Sequence, residues 1–187
     1  MSKGRIAGCL AGLLVVLLSA TGAKAGDIVG TVAAPKPDQV IVYVEKVSGT
    51  FHGSRAKMDQ QNKVFRPYVL PVLRGSTVEF LNGDNLQHNV FGVGADEFNL
   101  GTFGKGLASE HTFNKEGEVA ILCNVHPEME AYVLVLQNPY FAQPDNSGKF
   151  HIASLPPGEY VVKAWYRGKI KKQTVKVPAT GNVTVTF

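Results

Sequence analysis

The chain has 187 residues, with 19 Lys and Arg against 15 Asp and Glu, and 2 cysteines. Its formal charge of +4 is concentrated in the first residues, so the remainder lacks the electrostatic footprint of a nucleic-acid binder. With 20 Gly and 10 Pro among short runs of Val, Thr, Phe and Tyr, the composition predicts an all-β protein rather than a helical one.

The first 25 residues have the pattern of an export signal. Lys3 and Arg5 precede an apolar run, Ile6 to Leu18, that is too short to span a bilayer comfortably. Ala23-Lys24-Ala25 gives the small-x-small cleavage pattern, so the mature chain is expected to begin at Gly26 in the periplasm or outside the cell. Ile6-Ala7-Gly8-Cys9 looks like a lipobox, but its cysteine precedes the apolar core instead of following it. Cleavage removes Lys3, Arg5, Lys24 and Cys9, leaving 16 basic residues against 15 acidic ones, a net of +1. No second apolar segment predicts a membrane span. The remaining ~160 residues suffice for one large domain or two small ones.

Gln39 to Val47 reads as a strand with Val40, Val42 and Val44 on one face, ended by Ser48-Gly49. Residues 48–63 are polar and irregular and read as a long surface loop. Tyr68 to Leu73 and Thr77 to Leu81 are expected strands split by Arg74-Gly75, and Asn82-Gly83-Asp84-Asn85 breaks the chain before His88. Gly92 to Gly106 reads as loop-rich. Ser109 to Phe113 and Glu118 to Leu122 flank a Lys115-Glu116-Gly117 turn. Ala131 to Leu136 is apolar on both faces, which suits a strand buried between layers. After Asn138 the texture changes. Four short strands, Lys149 to Ala153, Glu159 to Trp165, Ile170 to Val177 and Val183 to Phe187, are separated by explicit Pro/Gly/Asn turns. That spacing predicts a sandwich, with a boundary near 138–144.

Chemistry concentrates in Cys123-Asn124-Val125-His126-Pro127-Glu128-Met129, with His88 upstream. One thiolate, two imidazoles and a thioether form the donor set of a mononuclear, electron-transferring copper site. Soft sulfur favours Cu(I) and imidazole accepts Cu(II), so little rearrangement accompanies the redox change. A cysteine at a strand end, a histidine three residues on and a methionine three beyond that can converge on one point. Pro127 restricts its own φ and the conformation of His126, which stiffens the loop. Zinc also takes Cys and His but usually four strong donors, and Met is a poor one. A Cys–His nucleophile lacks an orienting Asp or Asn beside His126 and any oxyanion motif. Cys123 is the one cysteine of the mature chain, and an unpaired exported thiol invites an explanation that metal occupancy supplies.

These residues resemble the cupredoxins, most closely amicyanin, with its short Cys-x-x-His-Pro-x-Met loop; plastocyanin and pseudoazurin place the Met further on. The match runs over about residues 57–137 and includes Gly75-Ser76-Thr77-Val78-Glu79-Phe80, His88-Asn89-Val90 and His111-Thr112-Phe113. The resemblance implies a Greek-key β-sandwich in which His88, Cys123 and His126 are equatorial ligands and Met129 the axial one. It also implies that Asn89 ties the two ligand loops together by hydrogen bonds; a simple turn Asn is the other reading. Residues 138–187 resemble a carboxypeptidase-regulatory-like, transthyretin-like β-sandwich through Gly148-Lys149-Phe150 and Leu155-Pro156-Pro157-Gly158-Glu159-Tyr160. Residues 26–50 suit the leading strands of that second sandwich, which would make the copper domain an insertion.

His52, His111 and His151 lack partners at ligand spacing and are expected on the surface, and Met58 is expected to pack rather than ligate. Arg167, Lys169, Lys171, Lys172 and Lys176 read as an edge strand guarded by cations or, alternatively, as docking for an anionic partner. Glu128 and Glu130 flank the ligand loop and bear on partner choice. The resulting expectation is an exported, non-enzymatic, single-electron carrier between redox proteins. His126 is its exposed edge, with Val125, Pro127 and Leu86 forming a docking patch. The alternative is a copper carrier that serves the assembly of another enzyme.

Overall fold

The computed structural model describes residues 25–187, so the expected leader lies, but for its last residue, outside the described residues. The described chain is all-β, with one short 3-10 turn at Pro37–Gln39. Its strands pack as two sandwiches.

The first sandwich is built from the middle of the chain. One sheet holds β3 (Arg55–Gln60), β4 (Phe65–Arg66), β6 (Ser76–Asn82) and β9 (Ala108–Phe113), in the order β4-β3-β6-β9. The other holds β5 (Val69–Leu73), β7 (His88–Gly94), β8 (Phe98–Phe103), β10 (Gly117–Leu122) and β11 (Glu130–Leu136), in the order β5-β11-β10-β7-β8. Alternation along β6 makes the core legible: Ser76, Val78, Phe80 and Asn82 point inward while Thr77, Glu79 and Leu81 do not. Met58, Phe65, Val78, Phe80, Phe113, Ile121, Cys123, Met129 and Val133 share one buried cluster between the sheets.

The second sandwich takes both ends of the described chain. β1 (Gly26–Thr31) lies between β13 (Lys149–Leu155) and β16 (Asn182–Thr186), antiparallel to the former and parallel to the latter. β2 (Ile41–Val44) pairs with β12 (Phe141–Ala142) and β14 (Gly158–Tyr166), and β15 (Lys169–Val177) closes that sheet as an edge strand. The backbones approach closely here: a Cβ on Gly30 would lie 1.8 Å from the Val185 carbonyl oxygen. Only glycine fits that crossing.

β11 joins the sandwiches. Ala131, Val133 and Val135 face the first core, whereas Leu134 and Leu136 face a third cluster with Ile41, Val69 and the fully buried Trp165. This matches the two-faced apolar run of the sequence. Trp165 Nε1 donates to Glu118 Oε2 at 2.5 Å across the seam, which satisfies an indole N–H that burial would otherwise orphan.

Three expectations are corrected. Residues 48–63 are not one long loop, because Arg55–Gln60 is a strand running parallel to β6. Met58 and Gln60 are buried there, and the polar Gln60 hides the alternation; its Nε2 donates to the Leu81 carbonyl at 2.9 Å. Gly92 to Gly106 contains the end of β7 and all of β8, since glycines such as Gly101 (φ 73) sit within the edge strand. His111 is half-buried rather than exposed, its ring stacked on Phe98 with centroids 3.9 Å apart. His52 and His151 are exposed, the latter 2.8 Å from Asp27.

Candidate metal centre

Sheet order brings the sequence-distant donors together. β7 and β10 are neighbours with Leu122 opposite Phe91, so the residue following β10 runs alongside the start of β7. His88 opens β7 and Cys123 directly follows β10. Between β10 and β11 the chain makes one turn, closed by the Met129 N–H donating to the His126 carbonyl at 2.9 Å. That turn returns Met129 to the core beside Cys123.

Ligand-capable atoms of His88, Cys123 and His126 all lie within 4.8 Å of one another. The two histidines turn Nδ1 toward Nδ1 at 3.0 Å. His88 is wholly buried, Cys123 is 3 % exposed and Met129 is 1 % exposed, while His126 is partly open to solvent. The donor set is therefore closed on its protein side and open along a single imidazole. Soft sulfur with two imidazoles fits a copper ion of either oxidation state.

His88 is held from behind. Its Nε2 lies 2.9 Å from Asp84 Oδ2, and the side chains are 0 % and 13 % exposed. An Nε2–H donated to the carboxylate leaves Nδ1 with its lone pair toward the cluster. Asp84 is itself cradled by the backbone N–H groups of Asn62 and Lys63, at 2.6 and 2.8 Å. Both of those residues have left-handed φ values of 56° and 58°, in a two-residue turn between β3 and β4. Partial burial pushes the Asp84 carboxyl up, but the two amides and His88 outweigh it and hold the group below the usual carboxylate range. The loop leading to His88 is pinned by Asn82. Its Nδ2 donates to the carbonyls of Leu86 and Phe103, each at 2.9 Å, and its Oδ1 accepts from the Asp84 N–H at 2.9 Å.

Asn89 links the ligand segments through its main chain. Its N–H points at Cys123 Sγ at 3.4 Å, a hydrogen bond that would stabilise thiolate charge. Its side chain reaches β8 instead, donating to Asn99 Oδ1 and the Gly101 carbonyl at 3.0 and 2.9 Å. Its Oδ1 is buried without a partner among the described residues.

Several large apolar side chains on the loops that carry the donors and on the loop joined to them through Asn82 are exposed. Leu86 and Val125 are 46 % and 45 % exposed, and Pro127 is also exposed. Leu107, 59 % exposed, was not foreseen; the Asn82 N–H donates to its carbonyl at 3.1 Å, on the loop beside Leu86. Asp84 and Asn82 were likewise missed as site residues. The available signal was an acid four residues before the histidine, within what reads as an ordinary turn.

No family model matches the chain, and no curated protein matches it. Among solved structures it resembles a purple cupredoxin from Nitrosopumilus maritimus, at 25 % identity and a TM-score of 0.39, over 43 % of this chain and 98 % of that one. A reduced amicyanin variant matches at 28 % identity and a TM-score of 0.40, over 42 % of this chain and 79 % of that one. A copper-containing nitrite reductase from Thermus scotoductus matches at 24 % identity and a TM-score of 0.43, over 58 % of this chain but 28 % of that enzyme. These structural neighbours are cupredoxins or include a copper-containing enzyme.

Proposed function

We propose that the protein binds one copper ion through His88, Cys123, His126 and Met129 and carries single electrons between redox partners. The observation that carries this reading is the convergence of a thiol sulfur and two imidazole nitrogens within 4.8 Å, in a mostly buried pocket. Copper bound there supplies a one-electron couple between its two ionic states. The chain's own contribution is rigidity. Asp84 orients His88, the Asn89 N–H meets the sulfur, and the turn from His126 to Met129 fixes the remaining donors. A braced, closed donor set favours retention through a redox cycle over release to an acceptor, which is why we place electron transfer ahead of copper delivery. His126 is the electron port, and Leu86, Leu107, Val125 and Pro127 exclude water where a partner docks.

The strand pairing supports reading residues 57–137 as a copper-binding unit inserted into a second sandwich formed by residues 26–50 and 138–187. We take the second sandwich to be of the transthyretin-like type and the leader to direct export. Among the described residues, no helix is long and apolar enough to cross a membrane.

Titration of the mature protein with Cu(II) tests the site. An intense visible thiolate-to-copper band saturating at one equivalent is expected; a weak band that survives Cys123→Ser would overturn the assignment. Met129→Gln should keep the copper and lower the potential, because an oxygen donor favours Cu(II). An unchanged potential would remove Met129 from the site.

A further inference from the structure

A cleft of about 650 Å³ opens at the seam between the sandwiches, away from the four metal-donor residues. One wall is the segment from Val64 to Tyr68; the other comprises Lys36, Asp38, Gln39, Gln143, Pro144 and Arg167. Sites of this size between domains are common places for small ligands. The charged lining is lopsided, with Lys36, Arg66 and Arg167 against Asp38 alone. None of these three cations forms an ion pair among the described residues.

Arg167 is the second independent observation. It occupies the first position of the two-residue turn joining β14 to β15, with φ 48°, followed by Gly168 at φ 75°. Turns with both central residues left-handed ordinarily take Asn-Gly or Asp-Gly, because a long side chain is strained there. Here the strain places a guanidinium over the Tyr68 ring, 4.8 Å from its centroid, with Tyr166 at 5.9 Å. The face of the guanidinium is taken by the aromatic ring. Among the described residues its edge meets only Gln39 Oε1, at 3.3 Å from Nη2 and 3.4 Å from Nε. An oriented planar fork with unfilled donors suits the two oxygens of a carboxylate.

We propose that this cleft binds a small organic anion bearing two or more carboxylates. Arg167 receives one carboxylate through its edge, and Arg66 and Lys36 supply charge for the others. Val64, Pro67 and Pro144 offer apolar surface to the carbon skeleton. The volume exceeds what an inorganic oxyanion fills, and the Asp38 carboxylate disfavours an anion placed next to it. The proposal does not depend on copper, so it stands or falls separately from the electron-transfer reading.

The test uses the full mature chain, both metal-free and copper-loaded, with citrate as the probe and sulfate as the inorganic control. Calorimetry should give one citrate site, about tenfold or more tighter than sulfate, with amide shift changes at Gln39, Tyr68 and Gln143. Arg167→Gln and Arg66→Gln should each weaken citrate binding about fivefold or more. Lys172→Gln, on the β15 edge and outside the cleft, should leave binding unchanged. Shift changes spread over β15, or equal losses in all three variants, would mean diffuse surface charge and overturn the proposal. Citrate silent up to about 5 mM would overturn it as well, since that corresponds to barely 3 kcal/mol of binding. A tri-glutamate peptide that binds while citrate does not would reject the small-ligand assignment.

Discussion

The two sandwiches differ in where they bury polarity. Of the six buried polar residues described, Gln60, Ser76, Asn82, His88 and Asn89 lie in the first sandwich, and Asn138 lies where the chain enters the second. The core of the second is filled by Ile28, Val42, Val44, Ile152, Leu155, Val162 and their neighbours. A buried polar group costs stability unless its bonds are met. The first sandwich meets part of that cost with a network anchored on Asn82, Asp84 and the Asn62–Lys63 turn, while Gln60 Oε1, Asn89 Oδ1 and His111 Nε2 are buried without a partner among the described residues. Buried polarity is thus concentrated in the sandwich that carries His88 and Cys123, whereas the polar contacts of the second, such as those of Asp27 and Asp145, lie nearer its surface.

The largest expected break in this contrast comes from Cys123→Ser. It should abolish the intense visible band while the far-ultraviolet signal and the unfolding of the second sandwich stay as they were. Coincident loss of both would mean that Cys123 is chiefly a packing residue. Trp165→Ala should cost about 3–5 kcal/mol by chemical denaturation. It removes the indole shared between the sandwiches and leaves Glu118 without its donor. Two resolved unfolding transitions in the variant would show that this contact couples the two bodies, whereas an unchanged midpoint would place the coupling elsewhere.

Asp84→Ala should weaken copper binding by about 10–100-fold in competition titrations, with little change in the second sandwich. A loss below about twofold would show that packing alone orients His88. The smallest effect is acid sensitivity of the second sandwich. Asp27 is held below the usual carboxylate range by the Ser154 N–H and His151, and Asp145 by Ser147 and the Lys149 N–H. A carboxyl whose pKa is lower folded than unfolded stabilises above its unfolded value, near 3.9 for Asp. That contribution disappears as pH falls from there through the depressed folded value. Asp27→Asn and Asp145→Asn should therefore flatten the decline in melting temperature below about pH 4; an undiminished slope would exclude these two acids as its source.

Much of the site was legible because soft donors are rare and their spacing is short. Cys123, His126 and Met129 lie within one turn after a clearly alternating strand, so proximity follows from chain continuity. His88 needed the strand order β10-β7, which the sequence does not state. Asp84 and Asn82 were unreadable for a related reason: turn composition explains both without any reference to a ligand. β3 escaped because Arg55, Lys57, Asp59 and Gln60 leave Met58 as its one large apolar residue, and parallel pairing with β6 supplies what the pattern lacks. β8 escaped because an edge strand tolerates glycine and, of its six residues, only Phe103 is buried. The second sandwich was easier, since its Pro-Pro-Gly and Asp-Asn-Ser-Gly turns announce themselves.

The Gln137 side chain grips the place where the chain leaves and re-enters the second sandwich. Its Oε1 accepts from the Val47 N–H and its Nε2 donates to the Val47 carbonyl, both at 3.1 Å. A module hung on a single thread swivels, whereas one hung on two threads knotted side by side can at most nod about the line between them. The heading of His126 relative to the rest of the molecule is thereby constrained by this amide clasp acting together with the Trp165 seam, a fixed bearing rather than a searching arm.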